Sequence, residues 1–134
     1  MRKILFLIFL SISVFSSEEF APLEFSYGNY EKQKVDLYLG NSDKVLVWIH
    51  GGGWLFGDKR AKRWVRRFHN HFSNHKELNV FMIGYRVGEN TAPYAVEDVL
   101  CAYKKIEEEI ESRGFSKTDI IVAGASAGGH LALF

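Results

Sequence analysis

The 134-residue sequence has a single cysteine and almost no net charge. One thiol, Cys101, excludes an internal disulfide and leaves the redox compartment open. The formal net charge of +1 gives no field that would attract nucleic acid, so no nucleic-acid partner is expected. The basic side chains within residues 59–67 are therefore interpreted as the solvated face of an amphipathic helix. A nucleic-acid or membrane surface is the less favoured alternative.

Metal ligands at a familiar spacing are also lacking. Among His69, His71 and His75, only the last two are four residues apart, and no carboxylate or thiol completes a set with them. The sequence therefore predicts no metal site, and no cofactor is expected. Cys101 lies beside the apolar stripe of a predicted helix and is interpreted as a small packing residue rather than a nucleophile.

The N-terminal segment differs from the rest of the chain. Residues 1–3 are a short basic start, and residues 4–15 are apolar except for Ser11 and Ser13. This run is too short to span a bilayer comfortably and favours a secretory signal peptide over residues 1–17. An uncleaved N-terminal anchor or a buried helix is the alternative. The mature chain is expected to be secreted or periplasmic, without stable membrane insertion after signal cleavage.

Strand and helix patterns alternate along the remaining chain and predict an α/β fold. Residues 20–39 show alternation and a Gly28-Asn29 turn signal, which indicate an antiparallel hairpin with one solvated face. The predicted buried strands are residues 45–49, 79–85 and 119–123, and the predicted helices are residues 58–74 and 94–113. This βαβαβ succession implies a doubly wound, mostly parallel sheet that binds ligands at the carboxyl ends of its strands.

Two glycine-rich motifs follow predicted strands. In Gly124-Ala125-Ser126-Ala127-Gly128, a serine stands between a strand and a helix, where a tight turn strains its backbone and admits almost no flanking side chain. In His50-Gly51-Gly52-Gly53-Trp54, the glycines let backbone N–H groups approach a ligand oxygen. Considered alone, the second motif is explained equally well by a flexible hinge. Both motifs lie at carboxyl ends of strands, so they are expected to converge on one site.

These motifs resemble those of α/β-hydrolase-fold serine esterases. The resemblance extends from about residue 35 to residue 134. Besides the two motifs, the matching residues are Tyr85-Arg86, Pro93, Asp98 and Gly129-His130-Leu131-Ala132. Gly57-Asp58-Lys59 and the Gly-Gly-His-Leu-Ala ending are most similar to the feruloyl-esterase-like and arylformamidase-like branch. They also resemble hormone-sensitive-lipase-like carboxylesterases.

The resemblance implies a role for each residue of the candidate site. Ser126 would be the nucleophile that attacks the carbonyl of a small-molecule ester and forms an acyl-enzyme. The N–H groups of Gly52, Gly53 and Ala127 would form the oxyanion hole. His50 would support the glycine loop without taking part in proton transfer. His130, one turn beyond Ser126 on the same helix, is not placed to receive the serine proton.

Enzymes of this family have the chain order serine, acid, histidine, with the acid and the histidine on loops well downstream of the serine. The sequence departs from the family because no such acid and later histidine follow Ser126. The chain stops eight residues after Ser126, which would leave the last strand at an exposed apolar edge. Residues 18–134 are therefore interpreted as the N-terminal half of a hydrolase domain, truncated just after the nucleophile turn and inactive alone. The alternatives are a non-catalytic remnant or binding module and, among enzymes, an arylformamidase or a serine peptidase. The sequence predicts neither the oligomeric state nor the acyl and alcohol groups of the substrate.

Overall fold

The computed structural model describes residues 21–75 and 77–134, which contain a five-stranded sheet and three helices. In chain order the elements are β1 (Leu23–Ser26), β2 (Lys34–Tyr38), β3 (Val45–Ile49), α1 (Lys62–His75), β4 (Asn79–Ile83), α2 (Ala92–Arg113), β5 (Ile120–Gly124) and α3 (Ala127–Leu131). The predicted signal segment, residues 1–17, lies outside the described residues. Among the helices of the described ranges, none is long and apolar enough to cross a bilayer.

The sheet combines an antiparallel hairpin with three parallel strands. Its strand order is β1-β2-β4-β3-β5, in which β2 pairs antiparallel with β1 and β4, and β3 pairs parallel with β4 and β5. Ile49 at the end of β3 is in register with Ile83 of β4 and Gly124 of β5. The three parallel strands therefore end at one edge of the sheet. The predicted α/β class and N-terminal hairpin are confirmed.

Helices cover both faces of the sheet because alternate side chains of each strand point to opposite sides. On one face, Phe81 and other residues of β3 and β4 pack against buried residues of α2, including Ile106. On the other face, Met82 packs with Trp48, whose ring lies 4.9 Å from Trp64 and 5.2 Å from Phe68 of α1. This two-sided cover is the doubly wound arrangement that the sequence predicts.

The helix boundaries follow local chemistry. Helix α1 begins at Lys62 rather than at the predicted residue 58, because the preceding residues form a turn in which the Ala61 N–H donates to the Asp58 carbonyl at 3.1 Å. Helix α2 has Pro93 in its first turn and ends at Gly114, which adopts a left-handed φ of 69°. These two residues are the start and stop signals expected from the sequence.

The predicted packing role of Cys101 is wrong, because its side chain is exposed. The core-facing stripe of α2 passes through Ala102 and Ile106, both fully buried. Cys101 precedes Ala102 by one residue and is therefore turned about 100° away from that position around the helix.

The hairpin lacks the fully solvated face that its alternating pattern predicts, because Asp36 is completely buried. Its carboxylate accepts hydrogen bonds from Lys59 Nζ and Arg60 Nε, each at 2.5 Å. Lys59 and Arg60 also bind Glu24 of β1, at 2.8 and 2.7 Å. The hydrogen bond from Lys59, followed by one from Lys34, holds the pKa of Glu24 at about 2. Lys59 and Arg60 therefore anchor the turn before α1 to the hairpin, and the interpretation of these two as part of a solvated helix face is wrong.

We expect Lys59→Met to lower the free energy of unfolding by about 1.5–3 kcal/mol, the range for a hydrogen bond to a charged group. The variant removes one of two cations from the buried Asp36 and leaves Arg60 in place. Lys34→Met is the matched control, because it breaks only a half-exposed pair with Glu24 at 3.1 Å and should cost less than about 1 kcal/mol. Urea unfolding followed by circular dichroism measures both variants, and equal losses would contradict the special role of Lys59.

Candidate active site

Ser126 lies in a strained turn between β5 and α3. Its φ is 51°, a value that residues with a side chain rarely adopt. The turn is tight enough that a Cβ at Gly124 would lie 2.3 Å from the Gly128 carbonyl, and one at Gly128 would lie 2.2 Å from the Ile49 oxygen. The Ser126 side chain is exposed at the edge where the parallel strands end. The structure thus contains the strand, tight turn and helix that the sequence predicts around this serine.

The glycine run begins directly after β3 and contacts the serine turn. The Ala125 N–H donates to the Ile49 carbonyl at 3.1 Å, which joins the two strand ends. A Cβ at Gly51 would lie 2.4 Å from the Ala125 oxygen and 3.3 Å from the Ser126 Cβ. The two motifs therefore meet at one place, as their positions after neighbouring parallel strands predict.

Backbone N–H groups in these motifs are available to a ligand. Within the part of the chain that the structure describes, the amides of Gly52, Gly53 and Ala127 donate no hydrogen bond. The carbonyl of Gly52, by contrast, accepts from the N–H groups of Leu55 and Phe56 at 3.1 and 3.2 Å, which closes the loop into a turn. Unpaired backbone donors usually find a partner in water or a ligand, so these amides can bind an oxygen atom.

His50 is buried beside the glycine run. Its Nδ1 lies 2.8 Å from the Gly51 carbonyl, and its ring stacks on Tyr85 with the ring centres 4.2 Å apart. The Tyr85 hydroxyl donates to the His50 carbonyl at 2.8 Å. Burial lowers the pKa of His50 and so favours the neutral ring. Because the Gly51 carbonyl can only accept a hydrogen bond, the proton of the neutral ring lies on Nδ1. These contacts fix the start of the loop, and the role of His50 in supporting it stays a prediction.

Because the folded protein keeps His50 neutral, we expect its stability to fall as the pH decreases through about 6.5, the ordinary pKa of histidine. Below this pH the unfolded chain binds a proton that the folded chain excludes. His50→Asn keeps an N–H donor but cannot titrate, so its stability should fall less steeply than that of the wild type as the pH decreases below about 6.5. Identical slopes in urea unfolding of the two proteins would contradict this account.

His130 lies on α3, one turn after Ser126, and its ring packs between two aromatic side chains. The ring packs edge-on against Trp54 and Phe134, with ring centres 5.6 and 5.3 Å away. Its backbone N–H donates to the Ser126 carbonyl at 3.1 Å. In the described ranges, no histidine or carboxylate side chain forms a hydrogen bond with the Ser126 hydroxyl.

No metal cluster is found among the side chains of residues 21–68 and 77–134, where no group of three or more His, Cys, Asp or Glu is arranged to hold an ion. The side chains of His69, His71 and His75 lie outside the described residues. For these three, the absence of a metal site stays a prediction.

The loop between β4 and α2 contacts the end of the glycine run, where the Gly88 N–H donates to the Trp54 carbonyl, and the motifs do not predict this contact. At its start, Arg86 donates to the buried Asp98 through its backbone N–H at 2.8 Å and through its guanidinium at 2.7 and 2.9 Å. Gln33 Nε2 donates to the same carboxylate at 2.7 Å. Burial alone would raise the pKa of Asp98, but these hydrogen bonds, chiefly from Arg86, lower it. The signal in the sequence for this buried ion pair is Asp98, an acidic residue among the apolar residues of α2.

A family model described as BD-FAE matches residues 35–134 of this chain. Among curated proteins, carboxylic ester hydrolase LipN of Mycobacterium tuberculosis is 34% identical over 94 residues, which cover 69% of this chain and 24% of LipN. Lipase 2 of Moraxella sp. is 31% identical over 105 residues, which cover 78% of this chain and 22% of that protein. The chain thus spans about a quarter of the length of these curated relatives.

Solved structures with the same fold include an esterase and a bifunctional enzyme. Esterase 2 of Thermogutta terrifontis, phosphorylated by paraoxon, superposes with a TM-score of 0.67 at 22% identity, over 84% of this chain and 46% of that one. The same esterase has also been solved with butyrate bound. A bifunctional GH43-CE protein of Bacteroides eggerthii superposes with a TM-score of 0.65 at 28% identity, over 81% of this chain and 16% of that one.

Proposed function

Because the chain belongs to the BD-FAE family and its relatives are α/β-hydrolase esterases, we propose that it is part of a serine hydrolase that cleaves carboxylic esters. One observation carries the proposal: the strained, exposed Ser126 is in contact with a glycine run whose amides have no internal acceptor. A nucleophile beside unpaired donors is the arrangement that acyl transfer requires.

In the proposed reaction, Ser126 Oγ attacks the carbonyl carbon of a small-molecule ester and the carbonyl oxygen becomes negatively charged. The N–H groups of Gly52, Gly53 and Ala127 would bind this oxygen, whose charge is larger in the transition state than in the substrate. Collapse of the tetrahedral intermediate expels the alcohol and leaves an ester bond between the acyl group and Oγ. Water then cleaves this bond and returns the serine to its free form.

The Ser126 proton needs an acceptor, and we propose that this acceptor belongs to a part of the protein beyond these residues. The chain covers about a quarter of its curated relatives, and enzymes of this fold have the chain order serine, acid, histidine. The described residues would then supply the nucleophile and the oxyanion hole, and the remainder would supply the acid and the histidine. Secretion or export to the periplasm remains a proposal that depends on residues 1–17.

Covalent labelling of the full-length protein tests this function. A fluorophosphonate probe should form one adduct, and mass spectrometry should locate it on the peptide that contains Ser126. The folded protein should also hydrolyse a short-chain aryl ester, and paraoxon should inhibit this reaction and compete with the probe. An adduct on another residue would contradict the proposal. Folded protein that neither reacts with the probe nor hydrolyses the ester would favour the non-catalytic alternative.

Substrate panels distinguish the enzymatic alternatives. Comparison of kcat/KM for an aryl ester, an N-aryl formamide and a peptide anilide separates an esterase from an arylformamidase or a serine peptidase. We expect the ester to be the best substrate, because the curated relatives are ester hydrolases and lipases. A preference for the formamide or the peptide would move the proposal to amide substrates.

A further inference from the structure

The carbonyl group of Trp54, directly after the glycine run, is held from outside the run by two residues. The Gly88 N–H donates to this carbonyl at 2.8 Å. The Thr91 hydroxyl lies 3.1 Å from the same oxygen and 2.8 Å from the carbonyl oxygen of Gly88. A hydroxyl has one proton, which is shared between these two acceptors. Thr91 and Gly88 therefore form a clamp on the segment that carries the Gly52 and Gly53 amides.

The Thr91 hydroxyl does not cap α2, although Thr91 is the N-cap residue of that helix. Thr91 is the N-cap of α2, where a threonine side chain usually accepts a hydrogen bond from the N–H two or three residues later. The residue two positions on is Pro93, which has no N–H, and Thr91 forms no side-chain cap hydrogen bond. The hydroxyl instead contacts the carbonyl of Trp54, the residue directly after the glycine run.

The clamp holds the strained backbone of Trp54. Trp54 has a φ of 63°, which is strained for a residue with a side chain and persists only where the surroundings impose it. The clamping loop is itself anchored, since Arg86 at its start is bound to the buried Asp98. At the other end of the loop, the Thr91 carbonyl accepts the Ala95 N–H at 2.9 Å in the first turn of α2.

We propose that Thr91 is a positioning residue for the oxyanion hole, an inference that rests on the function proposed above. Its hydroxyl holds the Trp54 carbonyl, and this restraint keeps the Gly52 and Gly53 amides directed at the substrate oxygen. Thr91 itself does not touch the substrate. Small displacements of catalytic groups are costly, about a hundredfold in rate for 1 Å. Since the Gly88 N–H remains when the Thr91 hydroxyl is removed, the loss should be smaller than that.

The test compares full-length proteins that carry Thr91→Val, Thr91→Ser or Thr118→Val. Thr91→Val removes only the hydroxyl function and should lower kcat for a short-chain aryl ester about tenfold, with KM changed by less than about twofold. Thr91→Ser keeps the hydroxyl and should retain kcat within about threefold of the wild type. Thr118→Val is the matched control, because this exposed threonine contacts only Ser116 in the loop before β5 and should have full activity. Hydrogen exchange of residues 50–57 should be faster in Thr91→Val alone.

Unchanged kcat and unchanged exchange in Thr91→Val would overturn the inference. An equal loss of kcat in Thr91→Ser would also overturn it, because the cause would then be packing of the methyl group. If Thr91→Val lowered the Tm but left kcat per folded molecule unchanged, the role of Thr91 would be structural and the inference would also be overturned. If the wild type hydrolyses no ester, the proposed function fails separately. In that case, hydrogen exchange of residues 50–57 tests the positioning role by itself. Faster exchange in Thr91→Val alone supports the clamp, and unchanged exchange overturns it.

Discussion

Ser126→Ala in the full-length protein is expected to lower kcat for a short-chain aryl ester by about 10⁶-fold and to leave KM nearly unchanged. The variant removes the atom proposed to form the acyl-enzyme and leaves the amides of Gly52, Gly53 and Ala127 in place. The residual rate should be what substrate binding and oxyanion stabilisation supply. Alanine and serine both carry a Cβ, so the φ of 51° is equally strained in the two proteins and the fold should be retained.

Steady-state kinetics, thermal unfolding and the fluorophosphonate adduct together check this result. Ser112→Ala is the matched control, because the Ser112 hydroxyl donates to the Glu109 carbonyl at 3.1 Å on the exposed side of α2, outside both motifs. It should keep full activity and full labelling. If Ser126→Ala retained labelling, or more than about 1% of the wild-type kcat, Ser126 would not be the nucleophile.

Gly52→Val is expected to lower kcat by about 10²–10³-fold, the cost of losing one oxyanion donor, and to change KM by less than about threefold. Gly52 has a φ of 134°, and a Cβ at this position would lie 1.8 Å from the Phe56 carbonyl oxygen. Valine therefore forces the backbone of the turn between Gly52 and Phe56 to shift, which we expect to displace the Gly52 N–H. Because this donor would serve the transition state more than the bound substrate, the loss should fall on kcat.

Gly114→Val separates this local effect from general destabilisation. Gly114 also has a left-handed φ, 69°, but it ends α2 in open space and has no contact with either motif. Thermal unfolding should show a lower Tm for Gly114→Val, while kcat per folded molecule stays unchanged. If both variants lost kcat equally, the loop would have no special role. A change confined to KM for Gly52→Val would indicate that the loop only binds substrate.

The elements that could be predicted from the sequence depend on neighbours in the chain. The turn at Ser126 needs small residues two positions before and after it, and the sequence provides Gly124 and Gly128 there. Helix α2 has Pro93 in its first turn and Gly114 at its end, and both act on the backbone within one turn. The contact between the two glycine motifs was also predictable, because adjacent parallel strands place their carboxyl ends together.

The predictions that were wrong here concern Asp36 and Lys59, whose partners lie far away in the sequence. The alternating pattern of the hairpin assigns Asp36 to a solvated face, yet its partner Lys59 is 23 residues away and covers it. The position of Lys59 beside other basic residues suggested a helix surface, whereas the ion pairs hold it in the preceding turn. Charge and periodicity describe how polar a segment is, but they do not identify the segment that packs on it.

The α/β order of strands and helices, the serine turn and the glycine run can be predicted from the sequence, because they depend on steric demands between adjacent residues. The groups that hold the site in place can be identified only in the folded chain. The Trp54 carbonyl meets Thr91, 37 residues later, and Arg86 meets Asp98 across the start of a helix. These contacts arise when β3, β4 and α2 pack together, and neither hydrophobic periodicity nor local turn chemistry specifies them.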